Sequence, residues 1–429
     1  CYEVAATGSG REALALMGGT RPQVVLVGAC LPDMTPAELC AAIRAAAGPD
    51  LPVIVQARGP ARIEALRAGA SALVEGTGDE LTLLARIRGL MRAGPQPEAE
   101  PAPGLAEPAT PFLADPRPRA MFVADQPLTA MGWRHALQGR LDFSIALGDP
   151  ERALAEAARG RVPDLYLIAA DIEQPGDGLR LLSELRSRPL SRDAAFVIVL
   201  RPERADLTAV ALDLGAGDVL PADLAAPPVA TEAAIRLEAQ LARKREADQR
   251  RAETRRSVLW AMTDPLTGLY NRRYALPRLA EMLASARGRG APLAVAVIDL
   301  DRFKLVNDRH GHAAGDAVLV AVSARLAAAV PPGALVARIG GEEFLAVLPD
   351  CDARAARLAG ERMRHAVMES PVPVPGSEAG LGGTLSAGVA VIEAPEWPQG
   401  LAGQHAAGPD PGPDRLLARA DQALLSAKS

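Results

Sequence analysis

The sequence predicts an α/β chain of several domains: two parallel α/β units followed by a mixed α+β unit. Three observations carry this. Short apolar runs alternate with Ala-rich stretches through the first half. A stretch rich in proline, alanine and acidic residues interrupts them from about Ala93 to Arg119. In the last third, an apolar strand ends in carboxylates and is followed by a glycine-hinged hairpin that carries two more.

At 429 residues the chain is long enough for about two to four domains, each with its own core. A net charge of −5 argues against a general nucleic-acid binder. No signal peptide is visible, and no apolar run approaches the roughly 18 residues a membrane span needs. Cys1, Cys30, Cys40 and Cys351 show no CxxC spacing, so reduced, buried thiols in a cytoplasmic protein are expected.

The chain begins at Cys1 rather than Met, and it is expected to enter its first unit, 1–92, midway. Val24-Val25-Leu26-Val27-Gly28 and Leu51-Pro52-Val53-Ile54-Val55 read as buried strands between helical stretches. The linker at 93–119 is expected to be extended. In the second unit, 120–227, strands are expected over 120–125, 165–169 and 195–200, and Pro227-Pro228 closes the domain. Residues 228–262 read as a linker helix whose apolar positions, Ile235, Leu237, Leu241, Val258, Leu259 and Met262, are too sparse for a heptad seam. A solvated strut and a helix that pairs in a dimer are equally good readings of it.

The last unit, 263–429, carries the chemistry. Asp264 followed by Pro265 predicts a capped helix start. The strand Leu293-Ala294-Val295-Ala296-Val297-Ile298 ends in Asp299, and an acid closing such a strand needs a partner or a cation. Asp301 is placed to cap a short helix, with Lys304 one turn on as a point charge for phosphate. Asn307 and Asp316 supply an amide and a carboxylate able to read a guanine edge. The hairpin Arg338-Ile339-Gly340-Gly341-Glu342-Glu343-Phe344 puts acid where bulk is absent, with glycine permitting positive φ and close approach of phosphates. Carboxylates at a strand end and a hairpin tip suit a hard divalent cation that also holds nucleotide phosphates. His310 and His312 lack the further ligands that zinc requires.

Together these stretches, from about Thr263 onward, resemble the GGDEF family of diguanylate cyclases, in the variant with Glu in the third motif position. The resemblance implies a ferredoxin-like, cyclase-palm α+β domain that joins two GTP molecules into cyclic di-GMP and releases two pyrophosphates. It implies a homodimer with one GTP per domain. Magnesium, with manganese as a substitute, would be bound by Asp299, the Leu300 carbonyl, Glu342 and Glu343. Glu342 would be the general base, with Lys304 and Glu343 beside it in catalysis. Phe303, Lys304, Asn307, Asp316 and Lys428 would contact the nucleotide. Pro331 and Ala334 stand where feedback-inhibited members carry an Arg-x-x-Asp motif, so that inhibitory site is expected to be missing. The chain stops at Lys428-Ser429, before a Gly-Arg-Asn-like segment common in the family.

Leu31-Pro32-Asp33-Met34 and the stretch 68–74 resemble a response-regulator receiver domain, a CheY/flavodoxin-like doubly wound fold, here lacking its first strand and helix. Gly28 stands at the phosphoacceptor position, Gln56 at the Thr position, and the Lys position falls near Gly76. The second unit resembles a receiver again, with Asp125 left of its acidic pair and Ala169 where the acceptor would be. Asp171 lies close by, and a loop or cap role is expected for it. No phosphorylation is expected in either, although an upstream regulatory protein could dock on them. Receiver, receiver, GGDEF is the order of the PleD type of regulated cyclase. The rival reading is an inactive scaffold that binds GTP or cyclic di-GMP.

Overall fold

The computed structural model describes residues 3–75, 80–92, 117–374, 377–393 and 412–428, in two compact units, Cys1–Arg250 and Arg251–Ser429. The Lys position near Gly76 and most of the 93–119 linker lie outside the described residues.

The first unit opens with α1 (Gly10–Gly19), then β1 (Val25–Val27), α2 (Pro36–Ala47), β2 (Val53–Gln56), α3 (Ala61–Arg67), β3 (Ala72–Val74) and α4 (Glu80–Arg92). The strands form a parallel sheet in the order β1-β2-β3. Thr35 and Glu38 close a capping box at the start of α2, as their spacing dictates. The Val25–Val27 run is not the buried strand expected: β1 pairs only with β2, and Leu26 is 53% exposed.

The second α/β domain runs through β4 (Arg119–Val123), α5 (Pro127–Leu137), β5 (Ser144–Gly148), α6 (Pro150–Ala158), β6 (Leu165–Ala169), α7 (Asp177–Ser187), β7 (Ala195–Leu200), α8 (Thr208–Asp213) and β8 (Asp218–Pro221). All five strands are parallel, in the doubly wound order β5-β4-β6-β7-β8. The three strands expected from the sequence fall where the apolar runs placed them.

Helix α9 (Pro227–Met262) differs from its expected role. Pro227 and Pro228 open it rather than close the domain, because the first helical turn needs no intrahelical N–H. Ala233, Leu237 and Leu241 pack into the second domain's core, and Ile235 packs against the first domain's core. The first half is therefore a packed element and not a solvated strut; Val258 and Leu259 further along are exposed.

Within the first unit, charge ties the two α/β domains together. Asp218 is buried between Arg86 of α4 (3.0 Å) and Arg236 of α9 (2.7 Å). Arg62 of α3 grips Glu232 of α9 through two nitrogens at 2.8 and 2.7 Å. Burial pushes the Asp218 carboxyl up, but the two guanidinium groups outweigh it and hold it far below the usual carboxylate range.

The second unit contains β9 (Tyr270–Asn271), α10 (Arg272–Arg289), β10 (Leu293–Leu300), α11 (Phe303–His310), α12 (His312–Ala329), β11 (Leu335–Arg338), β12 (Glu343–Pro349), α13 (Ala353–Met368), β13 (Val372–Val374), β14 (Ser377–Leu381), β15 (Leu385–Ile392) and α14 (Pro413–Lys428). The main sheet has the order β15-β10-β12-β11-β9, and its first four strands are antiparallel neighbours. That is the expected ferredoxin-like order, with β9 added in parallel at the edge. Residues alternate between two cores along β10: Ala294, Ala296, Ile298 and Leu300 face α12 and α13, while Leu293, Val295 and Val297 face α10 and α14.

Two composition-based expectations need correction. Helix α12 is long and apolar enough to cross a membrane by length and composition, because alanines carry its hydropathy past Asp316 and Arg325. Val318, Leu319, Val322 and Leu326 of that helix pack into the core. Cys40 and Cys351 are buried free thiols as expected, but Cys30 is exposed, on the loop that leaves edge strand β1; Cys1 lies outside the described residues.

Candidate active site

The period of the central strand decides where the first acid points. Asp299 continues the row of Leu293, Val295 and Val297, so it stands at the end of the stripe that α14 covers. It is buried, directly opposite Glu343 on β12 and Ser386 on β15. The expected partner exists: Lys428 Nζ, on the last turn of α14, lies 2.5 Å from Asp299 Oδ1. Lys428 was expected on the nucleotide phosphates; here it answers a buried carboxylate.

β11 and β12 form the expected hairpin, with residues 339–342 at its tip. The Glu342 carbonyl accepts the Leu300 N–H at 3.2 Å, which ties the tip to the end of β10. Burial first, then the charges of Asp299 and Glu343, push the Glu342 carboxyl up, and Lys428 partly opposes them. Asp299 and Glu343 thus both bear on Glu342, and Lys428, paired with Asp299, stands against them.

The two glycines do not have the positive φ expected of them. At Gly340 the constraint is space, because a Cβ would strike the Glu343 side chain. A Cβ on Gly341 would meet nothing within 4 Å. The protein's own packing therefore leaves the space over Gly341 open.

The residues expected to form a capped helix at Asp264 form a turn instead. Asp264 Oδ1 accepts from Thr267 N (2.9 Å) and Oγ1 (2.7 Å), and Gly268 turns the chain at φ 71°. The helix begins only at Arg272, capped by Asn271, whose side chain accepts from Tyr274 N. What holds the turn is Arg338: Nη1 pairs with Asp264 at 3.0 Å, while Nη2 and Nε donate to the Gly341 carbonyl at 2.7 and 3.2 Å. Sequence reading passed over this clamp; its one local signal was the Asp-x-x-Thr spacing of an Asx turn.

Helix α11 presents Phe303, Lys304 and Asn307. Phe303 is buried in the core, Lys304 is exposed on the first turn, and Asn307 is half-buried. Asn307 lies over Gly315, where a Cβ would collide with its Oδ1 and come within 3.2 Å of the Phe303 ring. A glycine inside a helix is costly enough to demand such a reason, and Gly315 is a second residue the sequence reading missed. Asp316, next along α12, is exposed. Asp301 does not cap α11: its carboxylate is taken by the Thr384 and Ser386 hydroxyls, and Arg302 occupies the cap position without a side-chain bond.

Among the described residues, no three His, Cys, Asp or Glu side chains converge to enclose a metal ion by themselves. The donor set nonetheless fits a hard cation shared with phosphates. It offers a buried carboxylate already demanding positive charge, a neighbouring carboxylate whose ionisation is penalised, and a strand-end carbonyl.

Residues 261–429 match the family described as diguanylate cyclase, GGDEF domain. The response regulator PleD of Caulobacter vibrioides (strain NA1000 / CB15N) is 31% identical over 440 residues, covering 100% of this chain and 92% of PleD. The chain belongs to the PleD family of response regulators. Within its cyclase part it is also similar to the diguanylate cyclase DgcP of Pseudomonas aeruginosa, at 38% identity over 168 residues, 39% of this chain and 22% of DgcP. Among solved structures, the coiled coil and GGDEF domain of DgcB from Caulobacter crescentus, in complex with c-di-GMP, is 29% identical. It covers 45% of this chain and 94% of that chain, with a TM-score of 0.38.

Gly28 and Ala169 are the positions at which the receiver resemblance expects a phosphoacceptor. Gly28 follows β1, and Ala169 ends β6. Asp171 has the loop role expected: it accepts the Gly176 N–H at 2.8 Å and pairs with Arg204 at 3.0 Å. Asp125 pairs with Arg201 at 3.0 Å. Two guanidinium groups from the segment after β7 thus answer both acids of this region.

Proposed function

We propose that the chain is an active diguanylate cyclase working as a homodimer, one GTP per GGDEF domain. One observation carries the reading: the Leu300 N–H, next in chain to Asp299, donates to the Glu342 carbonyl at 3.2 Å, so the acidic end of the central strand meets a hairpin tip that is open to a ligand over Gly341.

In this reading the 3'-hydroxyl of one GTP attacks the α-phosphorus of the other. The bond to pyrophosphate breaks, and the hydroxyl proton passes to the Glu342 carboxylate. A carboxylate within reach of the hydroxyl can take that proton as general base. Lys304 offsets charge on the phosphates, and Asn307 and Asp316 hold guanine. Magnesium, or manganese in its place, would be held by Asp299, the Leu300 carbonyl and Glu342, with Glu343 beside them. When bound it neutralises phosphate charge. Lys428 exchanges Asp299 for the nucleotide phosphates once a cation answers that acid. Two domains must face each other, because alignment of the two nucleotides supplies much of the rate.

The receiver-like domains regulate without phosphotransfer, since neither strand end carries an acceptor and Asp171 is engaged. The rival is a scaffold that binds GTP or cyclic di-GMP without turnover. Incubating the purified chain with GTP and magnesium, then separating nucleotides by chromatography, decides between them. Cyclic di-GMP formed by the chain and lost in Glu342→Gln supports the enzyme. GTP binding without product supports the scaffold.

A further inference from the structure

Chain direction at the end of β10 is set by one residue that the proposed chemistry leaves without a task. Asp301 is the first residue beyond the strand. Its N–H donates to the Thr384 carbonyl at 3.0 Å. Its carboxylate accepts two hydroxyls from the facing strand end: Thr384 Oγ1 to Oδ2 at 2.7 Å and Ser386 Oγ to Oδ1 at 2.8 Å. Ser386 stands opposite Asp299 in the sheet register, yet its hydroxyl goes to Asp301, which leaves Asp299 to Lys428.

Next comes Arg302 in the left-handed region, φ 54° and ψ 28°. A side chain held there is strained and persists only where its surroundings over-determine it. Its carbonyl accepts the Leu305 N–H at 2.9 Å and starts α11, so the helix that carries Phe303, Lys304 and Asn307 is aimed by this single turn. Leu300, immediately before Asp301, presents the carbonyl assigned above to the cation.

We infer that Asp301 is a positioning residue of the cyclase site. Held by the Thr384 and Ser386 hydroxyls, it locks the Arg302 turn and so fixes both the Leu300 carbonyl and the Lys304 helix, without binding metal itself. Both of its oxygens already accept short hydrogen bonds. The inference rests on the cyclase reading for its consequence, though the bracket itself is independent of that reading.

The test compares the full chain with Asp301→Ala and with the double variant Thr384→Val, Ser386→Ala, which keeps the carboxylate and removes its donors. Three readouts are taken: hydrogen exchange of the segment 301–307 without ligand, Mn2+ binding by electron paramagnetic resonance with a non-hydrolysable GTP analogue, and kcat and KM for GTP. Both variants should speed exchange in that segment and leave exchange in β10 unchanged. Both should lower kcat by about 10- to 100-fold, the scale of a misplacement near 1 Å, with KM within about threefold. Mn2+ should still bind in both.

If Asp301→Ala abolishes Mn2+ binding while the double variant behaves like the parent, Asp301 is a ligand and the inference is overturned. It is equally overturned if neither variant changes exchange or turnover. A parent chain that makes no cyclic di-GMP would instead sink the cyclase reading, while exchange and Mn2+ binding would still decide the bracket.

Discussion

Arg338 Nη1 stands 3.0 Å from Asp264 Oδ1, and the other two nitrogens of the same guanidinium hold the Gly341 carbonyl at the hairpin tip. A planar group with fixed donors can serve the turn and the tip at once; an ammonium cannot. Arg338→Lys is therefore expected to lower cyclase turnover by at least about tenfold, through loss of the hydrogen bonds that hold the tip. Chromatographic initial rates check it. Full activity in that variant would show that the tip is held by the strands alone.

The same pair has a pH consequence. Burial raises the Asp264 carboxyl, but hydrogen bonds from Thr267 and Arg338 outweigh it, so its folded-state pKa is depressed. A depressed acid stabilises the fold above its unfolded value of about 3.9 and loses that contribution as pH falls through the folded value. Asp264→Asn is expected to flatten the loss of stability of the cyclase unit between about pH 5 and the acid limit, read by urea unfolding at stepped pH.

Asp218 is the strongest stability test in the first unit. Its removal leaves Arg86 and Arg236 buried without their shared anion. Asp218→Asn is expected to cost about 3–5 kcal/mol, the penalty of breaking a buried pair by one partner. The parent should hold this contribution at every pH above about 3.9 and lose it only well into acid, because the folded-state carboxyl is held so low. Denaturant melts of the parent and the variant at neutral pH check the magnitude, and a difference below about 1 kcal/mol would contradict it.

How much of this was legible in the sequence depended on distance along the chain. The apolar run that ends in Asp299 and the glycine turn between apolar flanks at Gly340 and Gly341 could be read as a strand and a hairpin, because both are local patterns; the face that Asp299 takes follows only from the strand's two cores. Asp264-Pro265 could equally start a helix or a turn, and the residue that chooses, Arg338, lies 74 positions away. Asp301 read as a helix cap for the same reason: its true partners, Thr384 and Ser386, are 83 and 85 positions on. Pro227-Pro228 misled because proline both ends domains and opens helices, and only burial of Leu237 and Leu241 separates the two.

Gly315 and Gly341 should respond oppositely to alanine. A Cβ at Gly315 displaces Asn307, so Gly315→Ala is expected to raise KM for GTP by about tenfold, the worth of roughly one lost hydrogen bond, and to lower the melting temperature. Gly341 has open space and no positive φ, so Gly341→Ala should leave the melting temperature unchanged and still cut turnover, since only a ligand would meet the added methyl. Thermal melts paired with steady-state kinetics separate the two. A destabilised Gly341→Ala would mean that the glycine serves the fold and would remove the argument for a ligand over the tip.

Product feedback is expected to be missing at the usual place. The segment before β11 is a tight turn in which the Ala334 N–H donates to the Pro331 carbonyl at 3.2 Å, with Gly333 at φ 81°, the sign a type II turn demands at its third residue. Pro331 and Ala334 offer neither a guanidinium nor a carboxylate to cyclic di-GMP, where feedback-inhibited cyclases place both. Initial rates should therefore be unchanged by added cyclic di-GMP. The double variant Pro331→Arg, Ala334→Asp restores both groups with the turn's Gly333 retained, and it should become inhibitable, because a bidentate Arg is what such recognition requires. Inhibition of the parent chain would instead place a product site elsewhere on the surface, and a Pro331→Arg variant that left that inhibition unchanged would rule this turn out as its location.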